Sequence, residues 1–253
     1  MSMKTHKITI LYIATGRYIA YWPEFYEGMM RHFLPDCERQ VLLFTDAANM
    51  KMQVPENVKL VEIPQHPWPY ITLLRYHMFL EHANLWQDSD YVFFLNANYR
   101  FYRRISTGIL PGAEEGGLVA GVHRFSGRKK PDKYPYEREP SSAACIPLGQ
   151  GQHYFAGGFN GGTVSAFYEM CCALREQIQT DVDSGVMARW HDESHLNRYL
   201  LNRPVKVLPA TYVWAEEKVR WYNRWRIFAG PRDKRAMGGH EFMRGITENK
   251  PEA

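Results

Sequence analysis

Two adjacent carboxylates, Asp192 and Glu193, stand within Trp190-His191-Asp192-Glu193-Ser194-His195. Neighbours on a helix point about 100° apart, so one acid can meet a ligand while the other anchors the segment. Acids in a first helical turn also suit the helix dipole, which explains them without any chemistry. His191 and His195 have the i, i+4 spacing of a zinc pair. That pattern needs glutamate directly after the first histidine, however, and Asp192 holds the place. No third ligand announces itself.

A second candidate is the strand-like run Tyr91 to Leu95, which ends in Asn96-Ala97-Asn98. Ligand-binding groups often follow the carboxyl end of a buried strand. Two carboxylates here would hold a divalent metal, but this chain has two amides. In Phe155 to Gly162, four glycines in eight residues permit close backbone approach to a ligand. The run lacks GxGxxG and the Lys-Ser/Thr of a phosphate loop, and it reads as strand, Gly-rich turn and helix. Asp181-Val182-Asp183 has metal-like spacing but follows an amphipathic run, so it reads as solvated residues at a helix end. Arg220 to Arg235 interleaves cations with aromatics. Such a run suits nucleic acid, a diphosphate or plain solvent.

The elements that must position these groups alternate. Lys7 to Ala14, "QVLLFTD", "VKLVEI" and "DYVFFLN" are rich in β-formers. A helical pattern over residues 16–34 places Tyr18, Tyr21, Trp22, Phe25 and Met29 inward. Another spans residues 70–86, with Arg75 on a face away from its apolar residues. This alternation predicts an α/β sandwich with a mainly parallel sheet. Residues 124–151 show no period and read as a long loop.

At 253 residues the chain is long enough for one large domain or two small ones with a sizeable core, and its 45% apolar and 23% charged residues are ordinary for a globular protein. A net charge of +4 admits an anionic ligand but not a nucleic-acid coat. Cys37, Cys145, Cys171 and Cys172 have no CxxC spacing and are expected as free thiols. The N-terminal apolar stretch is too short for a signal peptide or membrane span, so the expected location is cytoplasmic.

Taken together, "YFAGGFNGGTV", "ARWHDESHLNRYLL" and "KVLPATYVW", with "LYIATGRY", "LLFTD", "HRFSG" and "YEREPSSAACIP", resemble glycosyltransferase family 6 over roughly residues 7–235. This is the family of the ABO blood-group and α-1,3-galactosyl transferases. The chain looks most like the short bacterial members of the Bacteroides type. The resemblance implies a GT-A fold in one catalytic domain: a nucleotide half (about 1–98), an acceptor and catalytic half (about 99–230) and a basic flexible tail (231–253). It implies retaining α-1,3 transfer of GalNAc or galactose from a UDP-sugar to an acceptor galactose carrying fucose.

By the same resemblance, Tyr12, Ile13, Ala14 and Tyr18 hold uracil and ribose. Arg75 approaches the donor. Ala156, Gly157 and Gly158 sort donor sugars, and a glycine at 158 favours the acetamido group of GalNAc. Asp192 orients the donor hydroxyls, and Glu193 stands beside the anomeric carbon. His123 and Trp190 contact the acceptor. Where most members carry Asp-x-Asp for Mn²⁺, Asn96 and Asn98 suit nucleotide contacts but not a hard cation. No metal or other cofactor is therefore expected. Arg75, Arg232, Lys234 and Arg235 are the candidate counter-charges for the diphosphate. A non-catalytic carbohydrate-binding protein and a zinc hydrolase built on His191 and His195 are the competing readings.

Overall fold

The structure is a computed structural model, and it describes residues 5–247. Strands β1 (Lys7–Ile13), β2 (Glu38–Thr45), β3 (Val58–Glu62), β4 (Tyr91–Leu95), β6 (Leu118–Val122), β7 (Phe155–Thr163) and β8 (Lys206–Leu208) form a seven-stranded sheet. Its order is β3-β2-β1-β4-β7-β6-β8. Only β7 runs against its neighbours, so the sheet is mainly parallel as expected. A separate two-stranded ribbon pairs β5 (Tyr99–Phe101) with β9 (Ala229–Pro231).

Alternation along β1 explains the layering. Ile8, Ile10 and Tyr12 face one side, where α1 (Trp22–His32) supplies Trp22, Phe25 and Met29. Leu11 faces the other side, with Leu42 and Phe44 of β2. That side is covered by α3 (Arg75–Glu81), α4 (Val164–Asp183) and α5 (Asp192–Leu200). Period-two strands between helices on both faces bury each strand on two sides, hence the apolar runs.

Several expectations change. The helical pattern over residues 16–34 divides into a 3-10 turn, Gly16–Tyr21, and α1, with Pro23 at the junction. Tyr18 is consequently only partly buried, packing at the edge of the core and lining a cavity. The second pattern also divides, into α2 (Tyr70–Leu73) and α3. Arg75 begins α3 and is buried, 4% exposed, rather than presented on a free face. The glycines of Phe155 to Gly162 lie inside β7, not in a turn. Residues 124–151 have little regular structure but are packed: Tyr134, Tyr136 and Ile146 form a small core with Tyr154. Asp181 is not solvated. It is buried and accepts hydrogen bonds from Ser142 Oγ and the Ala143 N–H, both at 2.6 Å. The expected tail splits, because residues 231–247 are described whereas 248–253 lie outside the described residues. All four cysteines are free.

The β7 glycines answer to packing. A Cβ on Gly161 would stand 2.6 Å from the Val92 carbonyl and 2.5 Å from Phe93 Cδ1. The backbone of a central strand cannot yield, so Gly161→Ala is expected to cost about 1–3 kcal/mol. Gly108, whose Cβ would meet only Ser106 Oγ at 3.7 Å, is the control. Urea unfolding should show a lower midpoint for Gly161→Ala and a near wild-type midpoint for Gly108→Ala.

Candidate active site

The chain runs β1, β2, β3 outward on one side and then crosses to place β4 on the other side of β1. Between β1 and β4 the order reverses, and the loops leaving their carboxyl ends diverge. That divergence opens a crevice. A cavity of about 370 Å³ lies there. Ile13, Thr15, Arg17 and Tyr18 line it after β1, and Asn96, Ala97 and Asn98 after β4. Arg75, Lys234 and Arg244 reach it from elsewhere, and Trp68 and His66 also line it. No carboxylate lines it among the described residues, while four permanent cations do. Such a lining favours an anion.

Beside this cavity α5 begins. His191 takes a left-handed conformation, φ 51°, which turns the chain and starts the helix at Asp192. The Trp190 N–H donates to Ser194 Oγ at 3.0 Å and closes the turn. Asn197 ties the helix to β7: its side chain accepts from the Phe155 N–H (2.8 Å) and donates to the carbonyls of Phe155 (2.9 Å) and Glu193 (2.8 Å).

The two acids meet different fates. Glu193 Oε2 accepts from the Gly157 N–H at 2.7 Å, and Oε1 accepts from the Tyr154 hydroxyl at 2.8 Å. His123 Nε2 is 3.7 Å from Oε2. Burial pushes the Glu193 pKa up, but these donors outweigh it and hold the carboxyl below its ordinary value. Burial raises Asp192 to about 7, against the pull of Arg75 and with a push from Glu193. Arg75 Nη2 lies 3.3 Å from Asp192 Oδ2. Its Nη1 donates to the Gly157 carbonyl at 3.3 Å, and its Nε to that of Thr72 at 3.0 Å. Opposed pKa values in neighbouring acids are a mark of acid–base and electrostatic sites.

The glycines belong to this packing. A Cβ on Gly157 would lie 3.1 Å from Glu193 Cβ and 3.2 Å from Asp192 Oδ2. One on Gly158 would lie 3.0 Å from Asn96 Nδ2. Gly158 therefore leaves room for a protein amide as well as for any ligand. Ala156 is buried on the same strand.

The remaining site residues divide. Tyr12 is wholly buried, and its hydroxyl donates to the Ala97 carbonyl at 3.0 Å. Ala14 is buried with its N–H on the Phe44 carbonyl, so neither residue lines the cavity. Asn98 Nδ2 donates to the Arg232 carbonyl at 3.2 Å, pinning the tail strand. Lys234 lines the cavity and its Nζ is 3.1 Å from the Tyr18 hydroxyl. Arg232 turns away: it pairs with Glu24 and stands 3.9 Å from Glu216. Arg235 is exposed on Asp233 and does not line the cavity. Trp190 is exposed, whereas His123 is half-buried and stacked on Phe125.

The zinc arrangement does not form. His191 precedes the helix and stands edge-on to Trp68, whereas His195 is buried 3.5 Å from Asp181. Among the described residues no group of three or more His, Cys, Asp or Glu is placed to hold a metal.

Sequence reasoning missed Arg17, Arg244, Trp68, Tyr154 and Asn197. Arg17 was findable, since it follows the carboxyl end of β1 as Asn96 follows β4. Arg244 and Trp68 are joined only by folding, with the guanidinium 3.8 Å over the indole ring. No sequence period marks such a contact.

A cation-lined crevice at the switch point of an α/β sheet, with a carboxylate pair at its side, is the layout of a GT-A glycosyltransferase. The family model for glycosyltransferase family 6 matches residues 2–231, and the chain belongs to that family. It is 28% identical over 210 residues to the O-antigen biosynthesis glycosyltransferase WbnI of Escherichia coli, covering 83% of this chain and 88% of that one. It is 30% identical over 241 residues to histo-blood group ABO system transferase 1 of Rattus norvegicus, covering 91% and 68%. It is 30% identical over 223 residues to globoside alpha-1,3-N-acetylgalactosaminyltransferase 1 of Gallus gallus, covering 83% and 62%.

The raised Asp192 has a consequence for stability. The folded chain keeps that proton up to about pH 7, whereas the ordinary value is 3.8. Between these values the folded state binds more protons, so this group's contribution falls as pH rises. Asp192→Asn is expected to remove that slope, even though the contact with Arg75 changes and shifts the baseline. Urea midpoints measured from pH 5 to 8 check it: parallel curves for the two proteins are the contrary outcome.

Proposed function

We propose that the chain transfers GalNAc from UDP-GalNAc to the galactose of a fucosylated acceptor, in α-1,3 linkage and with retention, without a divalent metal. The carrying observation is the pairing of Glu193, held by the Gly157 N–H and the Tyr154 hydroxyl, with a cavity that four cations and no carboxylate line among the described residues. The names of the ABO and globoside relatives support the reaction class.

In this reading the diphosphate lies among Arg17, Arg75, Lys234 and Arg244, with Tyr18 and Ile13 at the nucleoside end. The bond between anomeric carbon and UDP breaks, the acceptor hydroxyl oxygen bonds to that carbon, and the hydroxyl proton is released. Positive charge develops at the anomeric carbon, and negative charge on UDP. A carboxylate held ionised beside the first, and fixed cations beside the second, stabilise both. Glu193 also satisfies a double-displacement route as nucleophile. Asp192, steadied by Arg75, orients donor hydroxyls. His123 and Trp190 receive the acceptor.

The manganese ion implied by most of the family does not fit the residues present. Asn96 and Asn98 offer neutral amides, and Asn98 Nδ2 is engaged by the Arg232 carbonyl. Hard divalent cations favour anionic oxygens. In this reading the cations that line the cavity supply the charge that a metal would otherwise bring.

Three measurements test the reading. Glu193→Gln should lower transfer about 10²-fold or more, with UDP affinity little changed; near-normal turnover would remove Glu193 from the mechanism. Transfer from UDP-GalNAc to 2′-fucosyllactose should persist in EDTA, and loss restored by Mn²⁺ is the contrary result. Lys234→Ala should weaken UDP binding about ten-fold, the equivalent of one charged hydrogen bond; unchanged affinity by calorimetry counts against the diphosphate assignment.

A further inference from the structure

The interleaved run Lys218 to Arg226 has no part in the cavity. It forms a knob between the 3-10 turns Glu216–Lys218 and Arg224–Arg226. Trp221 is 90% exposed, Trp225 66% and Tyr222 61%. These values are unusual where most large aromatics are buried, and grouped exposed aromatics mark interaction sites. Lys218, Arg220, Arg224 and Arg226 are exposed beside them, and the nine residues contain no acid.

The knob is built rather than loose. Asn223 accepts from the Arg220 N–H at 2.7 Å and donates to the Lys218 carbonyl at 3.2 Å. The Arg220 guanidinium donates to the carbonyls of Glu217 and Val219, at 2.8 and 2.9 Å. The Trp225 indole N–H donates to the Tyr222 carbonyl at 3.0 Å, and Arg103 holds the Trp225 carbonyl. Ile227, 1% exposed, roots the segment. The rings are therefore presented with little ordering entropy left to lose.

We propose that this knob docks the protein on an anionic lipid bilayer. Amphipathic rings settle at headgroup depth, and clustered Lys and Arg meet the negative surface potential. Charge complementarity favours this occupant. A stacking groove for nucleic acid encloses its aromatics, whereas Trp221 stands clear of any wall. Among the described residues no helix is long and apolar enough to cross a membrane. Such docking would hold a glycan-modifying enzyme at the surface where lipid-borne glycans lie. The docking itself is independent of donor, acceptor and metal.

The test is co-sedimentation of the full chain with vesicles of phosphatidylethanolamine and roughly one-third phosphatidylglycerol, against phosphatidylcholine alone. Binding is expected to the anionic vesicles only, with a blue shift of tryptophan emission, and to be lost as salt rises from about 0.05 to about 0.5 M. Trp221→Ala/Trp225→Ala and, separately, Arg220→Gln/Arg224→Gln should each weaken it at least about ten-fold, with the melting temperature unchanged. Absence of sedimentation, equal binding to neutral vesicles, or tighter binding to a single-stranded oligonucleotide would overturn the proposal. So would wild-type binding by both double variants.

Discussion

Two neighbouring carboxylates cannot both be taken out of water and remain charged without strong help, and the centre of this molecule is arranged around that constraint. Glu193 receives a backbone N–H and a phenol, with an imidazole close by; Asp192 receives one guanidinium and gives up part of its ionisation. The donors come from three parts of the chain. Gly157 and Tyr154 belong to β7 and the residue before it, His123 follows β6, and Arg75 starts α3. The pair thus fixes how the second half of the sheet meets α5, and Asn197 holds the two together at the backbone.

Arg75 links this acid centre to the cavity. It touches Asp192 and Gly157 and also lines the space where four cations gather. Its guanidinium lies 4.2 Å over the Phe94 ring, which prevents it from swinging toward solvent. A planar, always-charged group is suited to serve two anionic centres at once. Truncating such a buried partner leaves the other ion uncompensated, typically about 3–5 kcal/mol.

The strands were legible because apolar runs bounded by polar residues are a strong signal, and the candidate cavity does open past β4, where such a run ends. The residues gathered from one segment, Asp192 with Glu193 and Gly157 with Gly158, were legible too. What failed was any judgement of direction. Arg75 lay on a predicted outer face, yet a break between Leu73 and Arg75 turned it inward. Asp181 looked solvated until Ser142 and Ala143 arrived from a loop about forty residues earlier, a separation of 39 and 38. Lys234, Arg232 and Arg235 are equivalent in composition. Glu24 and Asp233 remove two of them from the cavity, and such partners are chosen only in three dimensions.

The contact of Gly158 with Asn96 carries a consequence for changing this protein by mutation. The amide sits where a side chain at 158 would go, and the Asn96 N–H also binds the Gly158 carbonyl at 3.0 Å. Positions 96 and 158 are therefore not independent variables. Enlarging one presses on the other, and restoring an acid at 96 alters the wall faced by 158. Substitutions at the two sites should be epistatic, so recombining motifs from relatives one position at a time would give misleading single effects. The pair has to be exchanged as a unit.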